Sequence, residues 1–382
     1  MKLQHITTLL KCKYLFFPPK KSELLIYDEH SHKITSSILN LQKVQILKTR
    51  KEEINLFILL KTFLNFKFSF FDYLVQFIKF TNAKIVITSI DNNDIFYKIK
   101  KRCGVSTIFF QNGVRMGYRD IFEIFHQRKK FSEIKKQNHV DLMFTFNLMT
   151  SDLYSKIVNG KTIVSGSVLS NNVKISNKKK SGLIYISLFR PSLKRKTHLN
   201  EIKLIKSLRK YCLKNKLKLK VLFKYFKNTK NGLEEKNFYR NILDKNFKGI
   251  PNSNKRNSYR LIDDSKIVVS PGSTMGIESL GRKNKTAIIN PFPNVHPIKR
   301  NFFGYFTKRK KSGFFWHNGI EERKVFQVLD NVKNVSSKDW NKLIAKYKYE
   351  TAKYDKKNVN LKKTLNDFFL LHKIKSHKYL RK

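Results

Sequence analysis

The chain has 382 residues, 41% of them hydrophobic, which is enough for two or three domains with full-sized cores. Its formal net charge is +53, so a partner chosen by charge is anionic: nucleic acid, a membrane surface or a phosphorylated substrate. Cys12, Cys103 and Cys212 are too few and too scattered for a disulfide framework or a zinc site, and no stretch reaches the ~18 apolar residues of a membrane span.

Lys11 and Lys13 interrupt the N-terminal apolar residues, so no signal-peptide core forms. The chain reads as cytoplasmic, at most peripheral to the inner face of a membrane. Residues 23–27 (ELLIY) are the first expected strand, and it ends in Asp28-Glu29-His30-Ser31-His32. Open α/β sheets collect reactive groups at the carboxyl ends of their strands. Glu29 or His30 is therefore a candidate general base, with a solvated loop as the plainer alternative. A second strand is expected over 44–47, and helices rich in Leu and Phe over 52–64 and 70–80. The second helix sets Asp72, Gln76 and Lys79 opposite an apolar face suited to packing on the sheet.

Residues 84–90 (KIVITSI) read as a buried strand that runs into Asp91-Asn92-Asn93-Asp94. Asp91 is either a catalytic carboxylate or the cap of a helix over 95–102. A strand over 105–111 leads to a turn at Gly113. Gln111, Asn112, Arg115 and Arg119, with Asn92, offer donors and acceptors for an acceptor substrate there. Strands over 140–146 and 162–166 complete a doubly wound first half. The polar, lysine-rich stretch 171–181 reads as a linker.

Alternation then restarts, with strands over 183–188 and 218–223 and helices over 201–216, 233–243 and 259–263. The stretch 266–289, KIVVSPGSTMGIESLGRKNKTAII, reads as strand, hydroxylated turn, helix, strand. Such a turn is an anion site, because free N–H groups and the positive end of the helix dipole meet there. Ser273 and Thr274 add donors, and Glu278 follows one helical turn beyond Thr274. Residues 290–319 read as a loop, followed by helices over 321–332, 338–349 and 361–373. The fold class is α/β, two Rossmann-like domains facing across a cleft, with C-terminal helices. The expected boundaries are 1–170, a linker at 171–181, 182–335, and a helical segment at 336–382.

Several stretches together resemble a known family. They are 18–29 (PPKKSELLIYDE), 51–56 (KEEINL), 90–101 (IDNNDIFYKIKK), 111–125 (QNGVRMGYRDIFEIF), 141–147 (DLMFTFN), 186–191 (ISLFRP) and 258–287. Phe303-Gly304 and the FFW at 314–316 also fit. The chain resembles O-antigen or surface-polysaccharide biosynthesis proteins, which are similar to glycosyltransferases of the GT-B fold. The resemblance implies a transferase acting on a nucleotide-sugar donor, with a lipid-linked or polysaccharide acceptor. It implies diphosphate binding at Ser273, Thr274 and Gly276, ribose or sugar at Glu278, and phosphate near Arg190 and Lys224. No metal motif is visible and no cofactor is expected, so helix dipole and cations must stabilise the leaving nucleotide.

Related polymer transferases carry a His-Gly where this chain has Asn112-Gly113. Asn cannot take a proton, so the base falls to Asp91, Glu29 or His30. A polyol-phosphate transferase of the same fold is the neighbouring alternative, and a non-catalytic scaffold a further one. A nucleic-acid-binding protein is the reading that the dispersed lysines argue against.

Overall fold

The computed structural model describes residues 12–50, 53–67, 69–92, 94–115, 121–126, 130–191, 195–253, 255–292, 303, 305–307 and 309–381. The chain divides into two compact units. Unit one comprises Met1–Phe146, Thr150–Val168 and Asn358–Lys382, and unit two Asn147–Met149 and Leu169–Lys357.

Unit one holds β1 (Lys13–Leu15), β2 (Leu24–Tyr27), β3 (Gln45–Leu47), β4 (Glu53–Asn55), α1 (Leu56–Leu64), α2 (Phe70–Phe80) and β5 (Ile85–Thr88). Next come α3 (Ile99–Cys103), β6 (Ser106–Phe110), α4 (Phe131–Gln137), β7 (His139–Thr145), α5 (Leu148–Ile157), which belongs to unit one from Thr150 on, and β8 (Asn159–Val164). Six strands form a parallel sheet in the order β3-β2-β5-β6-β7-β8. Every residue of β2, β5 and β6 is buried, as in a parallel sheet covered on both faces.

Two local features differ from the sequence expectation. Residues 53–55 are not the start of a helix: they form β4, paired in parallel with β1. Asn55 then caps α1 by accepting from the Ile58 N–H at 3.0 Å. The expected helix over 95–102 is a 3-10 turn, Phe96–Lys98, followed by α3, which Gly104 ends at φ 71°. Helix α2 buries Tyr73, Leu74, Val75, Phe77 and Ile78, the packing fate expected of its apolar face.

Unit two holds β9 (Leu183–Ile186), α6 (Arg195–Lys214), β10 (Leu219–Leu222), α7 (Lys230–Ile242), α8 (Lys255–Asp263), β11 (Ile267–Ser270), α9 (Thr274–Gly281) and β12 (Thr286–Ile289). Strand β13 (Trp316–His317) and helices α10 (Glu322–Asn334) and α11 (Ser337–Ala345) complete it. The parallel sheet runs β10-β9-β11-β12-β13. Strand β13 lies inside the stretch expected to be a loop. Two residues beside β12 are too short to leave a periodic signal. The stretch 171–181 is tied into this unit: Ser176 bonds both Asp263 and Asp264, and the Ser181 N–H donates to the Asp264 carbonyl at 2.9 Å. Buried Arg282 holds Asp263 through two nitrogens, at 3.0 and 2.5 Å.

The last helix, α12 (Val359–Leu371), belongs to unit one. His372 Nε2 lies 2.6 Å from Ser106 Oγ, and Leu380 bridges Leu39. Among the described residues no helix is long and apolar enough to cross a membrane.

Candidate functional site

In unit two the carboxyl ends of β9, β10, β11 and β13 gather the polar groups. Strand β11 ends at Ser270, and Gly272 takes φ 118°, a region that favours glycine. Ser270 Oγ accepts from the N–H groups of Ser273 at 3.1 Å and Gly272 at 3.4 Å. Ser273 is the N-cap of α9, and its Oγ accepts from the Met275 N–H at 3.3 Å. Gly276 is required by packing: a Cβ there would meet Ser270 Oγ at 2.2 Å. Helix and strand thus approach as closely as in a phosphate-binding strand–turn–helix. Glu278 is buried, and its Oε2 accepts from the Tyr259 hydroxyl of α8 at 2.9 Å.

Beyond β9 and β10 stand Arg190 and Lys224, both exposed. The Lys224 ammonium is held below its ordinary pKa by partial burial and then by the positive charge of Arg190. The two cations therefore share one neighbourhood, and an anion placed there would relieve their repulsion. Beneath them lies an acidic network that sequence reasoning missed. Fully buried Glu235 accepts from the Lys224 N–H on both oxygens at 3.0 Å, from the Tyr225 N–H at 3.0 Å, and from Ser187. Fully buried Glu201 uses Oε1 to accept from Tyr239 at 2.7 Å, Tyr185 at 3.1 Å and the Leu188 N–H at 3.3 Å. Burial pushes the pKa of both carboxyls up. The signal of Glu201 was present in the sequence: it sits in the apolar stripe of α6 with Leu204, Ile205 and Leu208, where a solvated Glu does not belong. The ring of His198 packs between Phe189 and Phe238, at 5.5 and 5.2 Å between centroids.

The end of β13 adds buried His317. Its Nδ1 lies 2.7 Å from Ser312 Oγ and its Nε2 2.7 Å from Glu321 Oε2. Hydrogen bonding from Lys311 is the main cause that holds Glu321 down to about 2. This cluster escaped sequence reasoning because β13 did.

In unit one Asp91 follows β5 and is buried. It does not cap a helix. Its carboxylate pairs with Arg115, whose Nε lies 2.5 Å from Oδ2, and it accepts from the Tyr154 hydroxyl at 2.5 Å. Burial, then the Asp91 charge, pushes the Tyr97 and Tyr154 phenols well above their ordinary range. Gln111 is buried too: its Oε1 accepts from the Phe146 N–H at 2.7 Å and Thr150 at 3.0 Å, and its Nε2 donates to the Gly113 carbonyl at 3.0 Å. It braces the strand end, while Asn112 and Asn92 are exposed. Arg119 lies outside the described residues.

At the end of β2 the buried acid is Asp28. Its carboxylate accepts from Thr49 at 2.8 Å, Arg50 Nε at 2.9 Å and the His30 N–H at 2.8 Å, and its Oδ1 lies 3.2 Å from His30 Nδ1. Burial opposes ionisation, but Arg50 and the other donors outweigh it and hold the carboxyl below its ordinary value. Asp28 has φ 75° and ψ 124°, a backbone strain of roughly 1–3 kcal/mol for a non-glycine residue. Glu29 and His30 are exposed, with Glu29 3.7 Å from Lys48.

Among solved structures, Staphylococcus aureus MnaA with UDP is 12% identical, with 92% of this chain and 98% of that one covered and a TM-score of 0.53. A Listeria monocytogenes protein described as "putative UDP-N-acetylglucosamine 2-epimerase" is 11% identical over 93% and 98%, with a TM-score of 0.56. The H548A variant of the wall teichoic acid polymerase TagF is 13% identical over 93% and 89%, with a TM-score of 0.49. Among curated proteins none matches by sequence. At these identities the first two likenesses show the fold alone, which is GT-B-like. Residues 108–368 match the family described as "putative O-antigen biosynthesis protein". That is well over half of the chain, so the chain belongs to this O-antigen biosynthesis protein family.

Proposed function

We propose that the protein is a glycosyltransferase that moves a sugar from a nucleotide-activated donor to a growing surface-polysaccharide or O-antigen acceptor. One observation carries the reading most: in a chain of this family, Arg190 and Lys224 share a neighbourhood at the carboxyl edge of the sheet that also ends in the Ser273-capped helix α9. Two cations and a helix N-terminus are what a leaving nucleoside diphosphate requires. Ser273, Thr274 and the backbone at Gly276 take the diphosphate, and Glu278 takes a ribose or sugar hydroxyl. The solved structure of MnaA with UDP has this fold, which supports a nucleotide donor.

In unit one, Asn112, Asn92, Arg115 and Arg119 take the acceptor. Of Asp91, Glu29 and His30, we assign the proton acceptor to His30. Asp28 Oδ1 lies beside its Nδ1, which orients the exposed ring, and imidazole is the side chain most used for proton transfer. Asp91 is already engaged by a guanidinium and a phenol.

The test is calorimetry with UDP, GDP, CDP and CMP on the wild type and on Ser273→Ala with Thr274→Ala. One nucleotide is expected to bind, and the double variant is expected to lose about 2–4 kcal/mol of its affinity while staying folded. Unchanged affinity removes the anion site. Binding of CDP alone shifts the reading toward polyol-phosphate transfer.

A further inference from the structure

Helix α1 is apolar except for Lys61 and Thr62. Its inner side is satisfied, since Ile58 and Thr62 are buried. Its outer side is not: Leu60 is 60% exposed and Leu64 71%. Phe66, just beyond the helix, is 87% exposed. The segment after β1 adds Phe16 at 72% and Phe17 at 84%. These residues form one surface of unit one. Strand β1 pairs with β4, which leads directly into α1, and Asn55 Nδ2 donates to the Phe17 carbonyl at 2.7 Å. A soluble surface scatters its exposed Leu and Phe singly and does not mass five of them.

Lysines predominate around the patch, with Glu53, the ladder partner of Lys13, as the acid beside it. Residues 12–22 and 54–71 carry Lys13, Lys20, Lys21, Lys61 and Lys67 and no Asp or Glu. Lys21 and Lys61 both lie over the Phe80 ring, at 3.9 and 5.3 Å, and Phe57 meets the same ring at 5.1 Å. Ammonium groups therefore rim the apolar face. Leu and Phe enter the acyl boundary of a bilayer, and Lys stems lie along it with their heads among anionic phosphates. With nine residues α1 is far too short to span, so the geometry is that of a helix lying in the interface.

We propose that α1, with residues 16, 17 and 66, is a docking surface for an anionic lipid bilayer. Apolar insertion gives the retention, and the lysine rim gives the preference for negative headgroups. The proposal stands on exposure and charge and does not depend on the reaction in which the protein takes part.

The experiment is flotation of the full chain with vesicles of phosphatidylcholine alone or mixed with phosphatidylglycerol, at low and high salt. The wild type is expected to float with the mixed vesicles, more at low salt, and far less with the neutral ones. Phe17→Ser, Leu60→Ser, Leu64→Ser and Phe66→Ser combined keep the net charge. That variant is expected to partition about a hundredfold less, because the transfer of four apolar side chains is lost. Equal flotation of variant and wild type overturns the proposal, as does equal binding to neutral vesicles. Leu370→Ser with Leu371→Ser, exposed on α12, should float like the wild type, and an equal loss there also overturns it. A wild-type dimer that the serine variant splits, with no flotation, assigns the patch to a second copy instead. Should the serine variant melt early, Lys13→Gln, Lys20→Gln, Lys61→Gln and Lys67→Gln combined decide: loss of the phosphatidylglycerol preference supports the surface, and an unchanged preference overturns it.

Discussion

Both carboxylate oxygens of Glu235 accept from the backbone N–H of Lys224, at 3.0 Å each. A buried acid thus fixes the end of β10, where a cation faces outward next to Arg190. Glu201, linked to Glu235 through Tyr239 and Ser187, has its Oε2 buried without a hydrogen-bond partner among the described residues.

Glu201→Gln is expected to keep the fold and to hold or raise the melting temperature near neutral pH. Gln retains the oxygen that accepts three donors and removes a buried charge. Burial raises the folded-state pKa of Glu201 above the ordinary 4.5, so the folded chain holds this proton more tightly than the unfolded one. The group's share of stability is therefore largest at low pH and falls as pH rises from 4.5 through the raised value. Melts across that window should show a smaller decline in the variant than in the wild type.

Asp91→Asn and His30→Gln separate the two candidate bases. Asp91→Asn weakens the link to Arg115 and should cost about 1.5–3 kcal/mol of stability. His30→Gln sits on the surface, so stability should hold while turnover falls by roughly 10²–10⁴-fold. Full stability with lost turnover in Asp91→Asn would return the base to Asp91.

Glu278→Gln keeps an acceptor for Tyr259 but loses the charge that would hold a ribose or sugar diol. Transfer should fall about 10–100-fold with the fold intact, the scale of one hydrogen bond to a charged group. Full activity on the correct donor would remove that role.

Glu321 acts on the acid side. Its folded-state pKa of about 2 lies below the ordinary 4.5. Its contribution is complete above 4.5 and is lost as pH falls toward about 2. Glu321→Gln should flatten the stability profile over that interval only. An unchanged slope would show that the Lys311 and His317 contacts do not persist in solution.

The strands with two buried faces were legible, because runs such as Ile267-Val268-Val269 leave little choice. So was the start of helix α9 after the hydroxylated turn, where the sequence offers Ser273 or Thr274 as the cap and the structure uses Ser273. Strand order was not. That Arg190 and Lys224 stand together follows from β9 lying beside β10, and nothing local encodes that neighbourhood. The short pairs β1–β4 and β12–β13 were hidden, since two or three residues take their conformation from a partner far along the chain. Glu235 was hidden for another reason. A Glu in a helix reads as solvated until the helix is docked, and its hydrogen bonds go to backbone that no side-chain pattern reveals.

The return of residues 358–382 to unit one has a consequence for biosynthesis. A ribosome releases the chain from its N-terminus, and domains fold as units while they emerge. The first unit to begin is here the last to be completed. Unit two has all its residues by Lys357, whereas unit one still lacks the strap from Leu380 to Leu39 and the contact from His372 to Ser106. A gene fragment that stops at Val168 therefore encodes an unfinished body, and its partner sites remain open until the closing segment is supplied. Supplying that segment as a separate peptide, at a strength set by its concentration, would make completion of the unit something that can be titrated.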